Sequence, residues 1–409
     1  MTDARAIAEE TVRASYGRLL AWLAARSGDV AAAEDALADA FRAALEHWPK
    51  DGAPDSPEAW IITTARRKLI DNARRAQTRA ASQPALMMAA EEAEAQANSA
   101  DPFPDERLKL MFICAHPAIE ESVRTPLMLQ TVLGLDAARI ASAFLTSPKA
   151  MGARLVRAKR KIKAAAIPFV VPAPEHLPER MTSVLDAIYA AFGTGWNDAG
   201  GGAESDLTGE AIYLARLVAS LAPDEAEAWG LIALMLHAQA RREARRAGGA
   251  YVPLEEQDIA LWDRDLIAQA EQALGHAWRL KRPGRYQLEA AIQSAHAAGR
   301  LQDREVIRDI LRLYDHLLAV APSTGAEVGR AAALGAAGFH KEGLAVLDAI
   351  HESLNAAYQP YWAVRAHLLA DAGRRDAAGQ AYDRAIGLAS DEATRRFLMR
   401  RKRERAQTP

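Results

Sequence analysis

The sequence predicts an all-α fold on the basis of its composition and its hydrophobic pattern. Half of the 409 residues are hydrophobic, with alanine and leucine dominant, whereas 6% are aromatic. Alanine and leucine have high helix propensity, and runs of β-branched residues are short. Apolar residues recur at helical spacing along most of the chain. A chain of this length is expected to form two or three domains.

The charge and the cysteine content limit the class of protein. The formal net charge is −2, which argues against a uniformly basic coat for nucleic acid but allows local basic patches. The single cysteine, Cys114, excludes an intrachain disulfide. The start lacks a basic-then-apolar leader, and no run of about 18 apolar residues occurs. We therefore expect a cytoplasmic protein that does not engage a membrane.

A first helical block is predicted over residues 1–79. The run AAAEDALADAFRAALEHW has helical periodicity. Its apolar stripe is predicted to contain Ala33, Leu37, Phe41 (or Ala40) and Leu45. The loop PKDGAPDSPEAW contains Ser56 and Pro57, an N-cap followed by a proline at the first helical position. The helix that follows, EAWIITTARRKLIDNARRAQTR, begins apolar and ends strongly basic.

Residues 80–102 are predicted to form a flexible linker, and residues 103–170 a second compact block. The linker is rich in alanine and glutamate and has few large apolar residues. In the block, the segment TSPKAMGARLVRAKRKIK holds seven positive side chains and no acid. Ser147 is expected to cap a helix here, with Pro148 in its first turn. That helix is predicted to bury Met151, Leu155, Ala158 and Ile162 and to expose Lys149, Arg157, Arg160 and Lys163.

A helix-turn-helix is predicted around this basic segment. The shorter helix LDAARIASAF precedes it, and a tight LTS turn joins the two. In this motif the second helix lies in the major groove of DNA, where its first residues reach base edges and later Arg and Lys side chains contact phosphates. A solvated charged face is the alternative interpretation. The second basic helix, at 58–79, favours DNA binding.

The remainder is predicted to form a helical extension, residues 171–285, and helical hairpins with a basic tail, residues 286–409. Several hairpin residues have the offsets of tetratricopeptide helix pairs: Trp362, Leu369, Ala378, Tyr382 and Ala385, with Tyr314 and Pro322 marking an earlier unit. The result would be a short solenoid of helix pairs. The tail RRFLMRRKRERA is expected to be solvated.

Two groups of polar residues raise the question of a metal or ligand site. Cys114 and His116 are too few for a zinc site, so core packing is the favoured interpretation. The second group lies near His237 and several arginines and consists of Glu255, Glu256, Asp258, Trp262, Asp263 and Asp265. It predicts either a ligand pocket or a buried salt-bridge network between helices, of which we favour the network.

Three segments resemble, in register, the extracytoplasmic-function sigma factors of RNA polymerase. VRTPLMLQTVLGLDAARIASAFLTSPKAMGARLVRAKRKI resembles their region that recognises the promoter −35 element. AAAEDALADAFRAALEHW resembles their second conserved region, and PEAWIITTARRKLIDNARR the helix that opens the −10 element. This resemblance covers residues 12–165. Residues 175–300 resemble the extension of one sigma subgroup, which tetratricopeptide-like repeats follow.

The resemblance implies three sets of site residues. Binding to the RNA polymerase core is expected from Glu34, Asp35 and Asp39. Recognition of the −10 element is expected from Trp60, Arg66, Arg67, Lys68, Arg74 and Arg75, with the loop 49–58 holding a flipped base. Recognition of the −35 element is expected from Ser147, Lys149, Ala150, Arg154, Arg157 and Lys159. From the pattern alone, a solvated acidic face is the favoured interpretation of the α-helix that carries the three acids. For Trp60, core packing is at least an equal alternative to contact with the strand.

The function implied by the resemblance is that of a sigma subunit that directs RNA polymerase core to promoter DNA and aids promoter melting. Such a subunit has no catalytic chemistry, and we expect no cofactor and no metal. The C-terminal extension would modulate activity, with a regulatory protein as its partner. The alternative is a helix-turn-helix regulator with a helical effector or protein-interaction domain. An enzyme is disfavoured because residues 181–285 lack a nucleophile–base pair, metal-ligand spacing and a phosphate loop.

Overall fold

The computed structural model divides the chain into two compact units, residues 1–222 and residues 223–409. It describes residues 4–79, 106–144, 146–165, 167, 169, 172–197 and 207–407. The predicted linker, 80–102, therefore lies outside the described residues. The division between the units falls inside the segment predicted as one extension domain, 171–285. The other predicted domain boundaries stay predictions.

Unit 1 is built from α-helices in all of its described residues apart from connecting turns and one short 3₁₀ turn. Its helices are α1 (Ala4–Ser27), α2 (Val30–Asp51), α3 (Pro57–Arg79), α4 (Glu106–Cys114), α5 (Glu121–Thr131), α6 (Ala137–Ala143), α7 (Pro148–Ala164), α8 (Leu177–Asn197) and α9 (Leu207–Leu221). The helices α1, α2 and α3 pack against one another as a three-helix group, and α6 packs against α7.

Side-chain caps define where the two most important helices begin. The Asp29 side chain caps α2 by accepting a hydrogen bond from the Ala32 N–H at 3.0 Å. The Ser147 hydroxyl caps α7 by accepting from the Ala150 N–H at 3.2 Å, as predicted. Such a cap satisfies one of the free N–H groups in the first turn of a helix.

The predicted buried face of α7 is confirmed, and that of α2 needs one correction. On α7, the buried residues are Met151, Leu155, Ala158 and Ile162. On α2, the buried stripe continues through Ala44 and Trp48, and Leu45 is 42% exposed. Leu45 was expected in that stripe, but a period of 3.6 residues brings position 44 closer to its centre.

Unit 2 is also helical, with one short hairpin of two strands. Its helices are α10 (Ala226–Gln239), α11 (Arg264–Arg279), α12 (Arg285–Gln302), α13 (Ile307–Val320), α14 (Thr324–Ala336), α15 (His340–Ala349), α16 (Glu352–Asn355), α17 (Gln359–Asp371), α18 (Arg375–Leu388) and α19 (Glu392–Gln407). The strands β1 (Arg246–Ala247) and β2 (Ala250–Tyr251) pair antiparallel. The predicted all-α class is confirmed for the described chain.

Several consecutive helices of unit 2 pack against each other, among them α10 with α11, α14 with α15, and α17 with α18. The pair α17 and α18 buries Leu369, Ala378, Tyr382 and Ala385, which belong to one hydrophobic cluster. These are residues that the sequence places at tetratricopeptide offsets. Assignment to that repeat family stays a prediction, because the burial establishes the helix pair and not the repeat.

The basic helix α19 is held against its own unit, and the prediction of a solvated tail is wrong for its ion-paired residues. Arg401 pairs with Glu256, Lys402 with Asp383 at 2.5 Å, and Arg405 with Asp371 at 2.8 Å. The Phe397 ring also meets the Tyr251 ring edge-on, with centroids 5.4 Å apart. Acids distant in sequence supply these contacts, so the sequence of the tail alone could not indicate them.

The favoured interpretation of the acidic group near His237 is also wrong, because its acids are not buried. Glu255, Glu256, Asp258, Asp263 and Asp265 are all exposed, and Trp262 is the buried member of the group. Asp258 accepts from the Ala260 N–H, and Asp263 accepts from two N–H groups at the start of α11. Aspartates favour such capping positions because their short side chains reach the backbone N–H groups.

The first two helices of the predicted extension pack with the preceding block. Helix α8 packs against α4 and α5, and α9 packs against α8 and α4. Arg180 of α8 donates from Nη1 to the carbonyl oxygen of Phe112 at 3.1 Å, and Arg107 of α4 pairs with Glu210 of α9. Phe112 is fully buried. These helices therefore belong to the structural core of unit 1.

Candidate nucleic-acid interface

A cleft opens between the end of α2 and the start of α3. It has a volume of about 420 Å³ and is lined by His47, Trp48, Asp51, Gly52, Ala53, Pro54 and Trp60. The Trp48 and Trp60 rings meet edge-on, with centroids 5.5 Å apart. Trp48 is 2% exposed, and within the described residues its Nε1–H has no hydrogen-bond partner. The half-buried Trp60 ring at this cleft offers a stacking surface that suits an unstacked base.

The turn at this cleft depends on Gly52. Gly52 has φ +88° and its N–H donates to the Trp48 carbonyl at 3.0 Å, which ends α2. A residue with a β-carbon would be strained at this φ. Pro57 then begins α3, as predicted, and Glu58 in the same turn pairs with Arg18 of α1 at 2.5 Å.

Exposed cations continue from the cleft along α3. Arg66, Arg67 and Lys68 are exposed, and none of them makes an ion pair within the described residues. Arg74 and Arg75 lie further along α3, but their side chains fall outside the described residues. Cations beside an aromatic cleft can follow the phosphates of a single strand whose base has left the stack.

Helix α7 carries the residues predicted to recognise the −35 element. Lys149, Ala150 and Arg157 are exposed, and Ser147 caps the helix. Arg154 is partly buried and donates from Nη2 to the Ser122 hydroxyl at 2.7 Å. An exposed helix N-terminus with flanking cations is able to enter a major groove. Arg154 would have to leave Ser122 to reach a base.

The three predicted polymerase-binding acids of α2 differ in their surroundings. Asp35 is exposed. Asp39 pairs with Arg42 on the same helix at 2.8 Å. Glu34, in contrast, forms a salt bridge with Lys159 of α7, and the two side chains are 20% and 11% exposed. The structure therefore joins a residue predicted to bind polymerase to one predicted to bind DNA.

A second ion pair strengthens this contact between α2 and α7. Lys163 lies 2.8 Å from the Asp29 carboxylate. Although burial acts to raise it, hydrogen bonds from Lys163 and from the Ala32 N–H lower the pKa of the Asp29 carboxyl. The Tyr16 hydroxyl of α1 donates to Glu34 at 3.4 Å, and burial together with that carboxylate raises the pKa of Tyr16. We call these two salt bridges the α2–α7 clasp.

Close backbone packing accompanies the clasp. At Gly17 of α1, an added β-carbon would lie 1.6 Å from the carbonyl oxygen of Val132, which follows α5. On the facing turn, a β-carbon at Gly134 would lie 3.1 Å from the Tyr16 ring, and Gly134 has φ +69°. Only glycine at position 17 allows α1 to approach this closely, because any β-carbon would overlap backbone atoms.

Cys114 is confirmed as a core residue, whereas His116 lies in the partly exposed turn after α4. The Cys114 thiol is fully buried beside the Thr131 hydroxyl, with Sγ and Oγ1 3.6 Å apart. Across the described part of the chain, no group of three or more potential metal ligands occurs. None of the helices described combines the length and hydropathy of a membrane span.

Burial raises the pKa of the Cys114 thiol to about 12. Since the thiolate is the reactive form, we expect no alkylation of the folded protein by iodoacetamide at pH 8. Mass spectrometry should find full modification once urea unfolds the chain. Rapid labelling of the native protein would contradict the buried position.

Comparisons with known proteins match two parts of the chain to families. The Sigma-70 region 2 family matches residues 11–79, which include the cleft and the clasp residues of α2. A family of unknown function, DUF6596, matches residues 180–278. An uncharacterized protein of Rhizobium meliloti (strain 1021) is 36% identical over 374 residues, which cover 90% of this chain and 88% of the relative. No solved structure matches.

The chain thus carries a sigma-70 region 2 domain at its N-terminal end, followed by a helical extension. This domain supports a sigma-factor role in transcription initiation, with RNA polymerase core and promoter DNA as partners. The chain belongs to the same family as the rhizobial protein.

Proposed function

We propose that this protein is a sigma factor of the extracytoplasmic-function type, which directs RNA polymerase to promoters and holds the melted −10 strand. The observation that carries the proposal is the Trp48–Trp60 cleft, which lies inside the region 2 match and continues into the exposed cations of α3. The cleft would take one flipped base, and the cations would follow the strand. Helix α7 would enter the major groove at the −35 element.

We propose that the free protein adopts a closed state, in which both salt bridges of the α2–α7 clasp are formed. Lys159 cannot contact a phosphate while it neutralises Glu34, and Glu34 cannot face polymerase while α7 covers it. RNA polymerase core and promoter DNA would therefore each favour an open state, in which the clasp is broken. Binding of one of them would then assist binding of the other. We further propose that the extension modulates this equilibrium through a regulatory protein.

Trp60→Ala is expected to lower initiation about tenfold or more in runoff transcription by core polymerase from a randomised promoter library. Base stacking on an aromatic side chain contributes about 1–3 kcal/mol, which corresponds to that loss. Trp22→Ala is the matched control, because Trp22 is also half-buried but lies on α1 beneath Arg26, 3.7 Å from its guanidinium carbon. Trp22→Ala should initiate at the wild-type level.

The same assay tests the sigma-factor proposal against a helix-turn-helix regulator. A sigma factor initiates transcription with core polymerase when no other sigma subunit is present, whereas a regulator binds duplex DNA without supporting initiation. The proposal is wrong if neither the wild-type protein nor a variant with an opened clasp supports any initiation.

A further inference from the structure

A half-buried arginine in unit 2 lies where the end of α10, the hairpin and α12 meet. Arg241 follows α10 and donates from Nε to the His237 carbonyl oxygen at 3.2 Å. It also donates from Nη2 to the side-chain oxygen of Gln293 on α12. Its guanidinium carbon lies 5.8 Å from the centre of the Trp262 ring, and Trp262 is 3% exposed. The arginine is thus held rigidly by neutral partners.

The unusual property of Arg241 is that no described acid forms an ion pair with it, although the exposed Glu255 lies nearby. Within the described residues it makes no ion pair, and burial lowers its pKa to about 10, so it remains charged at neutral pH. The end of a helix favours a cation, but buried charges in proteins are normally paired with an opposite charge. A held guanidinium with unused N–H donors is therefore a site prepared for an anion.

The neighbouring side chains add hydrogen-bond donors. Tyr251 of β2 and His296 of α12 are half-buried and lie within electrostatic range of Arg241. Burial, opposed in part by Arg245, raises the pKa of Tyr251, so its hydroxyl stays protonated. Burial together with the charge of Arg241 lowers the pKa of His296 despite the nearby Glu255, so this histidine stays neutral and keeps one N–H. Neither side chain makes a hydrogen bond with another described residue.

We propose that the Arg241 recess, defined by Arg241, Tyr251, Gln293 and His296, binds a small oxyanion that carries a carboxylate or a phosphate group. The planar guanidinium can receive two oxygens of such a group, while the tyrosine hydroxyl and the imidazole N–H bind a third. Glu255 is the nearby acid and is exposed, so it can turn into solvent when the anion enters. The extension would then be a ligand-sensing module. This inference does not depend on the sigma-factor proposal, because binding is measured without polymerase or DNA.

The test is thermal unfolding of the full chain with inorganic phosphate, or with acetate, at ionic strength held constant with chloride. We expect one of the two anions to raise the melting temperature of unit 2 saturably, by roughly 5–10 °C at 100 times its Kd. A response to phosphate identifies a phosphate ligand, and a response to acetate identifies a carboxylate ligand. Absence of a saturable response to both anions overturns the proposal.

Substitutions locate the binding. Arg241→Gln should abolish the response, whereas Arg279→Gln should retain it, because Arg279 is an exposed arginine on α11. Tyr251→Phe keeps the ring against Phe397 and removes only the hydroxyl, so we expect about tenfold weaker binding with the fold intact. If Arg241→Gln fails to fold, Tyr251→Phe alone tests whether the anion binds at the Arg241 recess. An unchanged Kd in Tyr251→Phe and in every folded Arg241 variant would mean binding elsewhere and would refute the assignment.

Discussion

Gly17→Ala is expected to raise the affinity of the free protein for promoter duplex DNA about tenfold or more. The new methyl group would lie 1.6 Å from the Val132 carbonyl oxygen, which is far inside van der Waals contact. The clash is with backbone, so no side-chain rotation relieves it, and overpacking of this kind costs about 1–3 kcal/mol or more. The closed state loses that free energy. An open state in which α1 has also moved away from Val132 is not destabilised by the methyl group, because alanine is the better helix former within α1.

The measurement is fluorescence anisotropy of labelled duplex DNA at fixed salt, since binding to phosphates depends strongly on salt. Gly193→Ala is the matched control, because it lies in α8 and a β-carbon there would have nothing within 4 Å. The control should bind DNA like the wild-type protein. Asp29→Asn should act in the same direction as Gly17→Ala but more weakly, because asparagine preserves the cap of α2 while removing the charge that faces Lys163. Unchanged affinity of Gly17→Ala would mean that the clasp does not limit DNA binding.

A chain shortened to residue 173 is expected to lose the folded state of the block that contains α4 to α7. Helix α8 contributes five large side chains that are less than 5% exposed: Met181, Val184, Leu185, Ile188 and Phe192. At about 1.5–3 kcal/mol each, their burial amounts to roughly 8–15 kcal/mol, which is comparable to the whole stability of a domain. The contacts Arg180–Phe112 and Arg107–Glu210 would be lost as well.

A chain shortened to residue 222 is the control for this loss, because it keeps both α8 and α9. We expect circular dichroism to find a cooperative melting transition for residues 1–222 and a much lower one, or none, for residues 1–173. Equal melting temperatures would contradict the role of α8 and α9 in unit 1. If residues 1–173 show no cooperative transition, transcription assays without the extension should use residues 1–222.

The sequence predicts those features of the site that arise within single helices. Ser147 and Pro148 indicate the start of α7, and the spacing of Met151, Leu155 and Ile162 indicates its buried face, because both follow from helix geometry. The loop before Pro57 and the aromatic Trp60 are likewise visible as a turn signal and a candidate stacking residue. The roles in recognition assigned to these residues stay predictions.

The features that sequence reasoning missed depend on residues far apart in the chain. Lys159 and Glu34 are 125 positions apart, and no periodicity relates them. The sequence signals Arg241 only through the run RREARR directly after an apolar helix, and nothing in that run distinguishes the partly buried arginine from its solvated neighbours. Those acids were expected to form a buried network, but short aspartates reach helix N-termini more easily than they reach distant arginines.

The attachment of α19 to the hairpin region has a consequence for how the protein is synthesised. Arg401 and Glu256 are 145 positions apart, and at about 5–20 residues per second the ribosome needs roughly 10–30 s to pass from one to the other. Helix α19 cannot make its contacts with the hairpin region until residues 392–407 emerge from the ribosome. All of unit 1 is synthesised well before that, so we expect newly made molecules to pass through an interval in which unit 1 can fold while the hairpin region still lacks its α19 contacts.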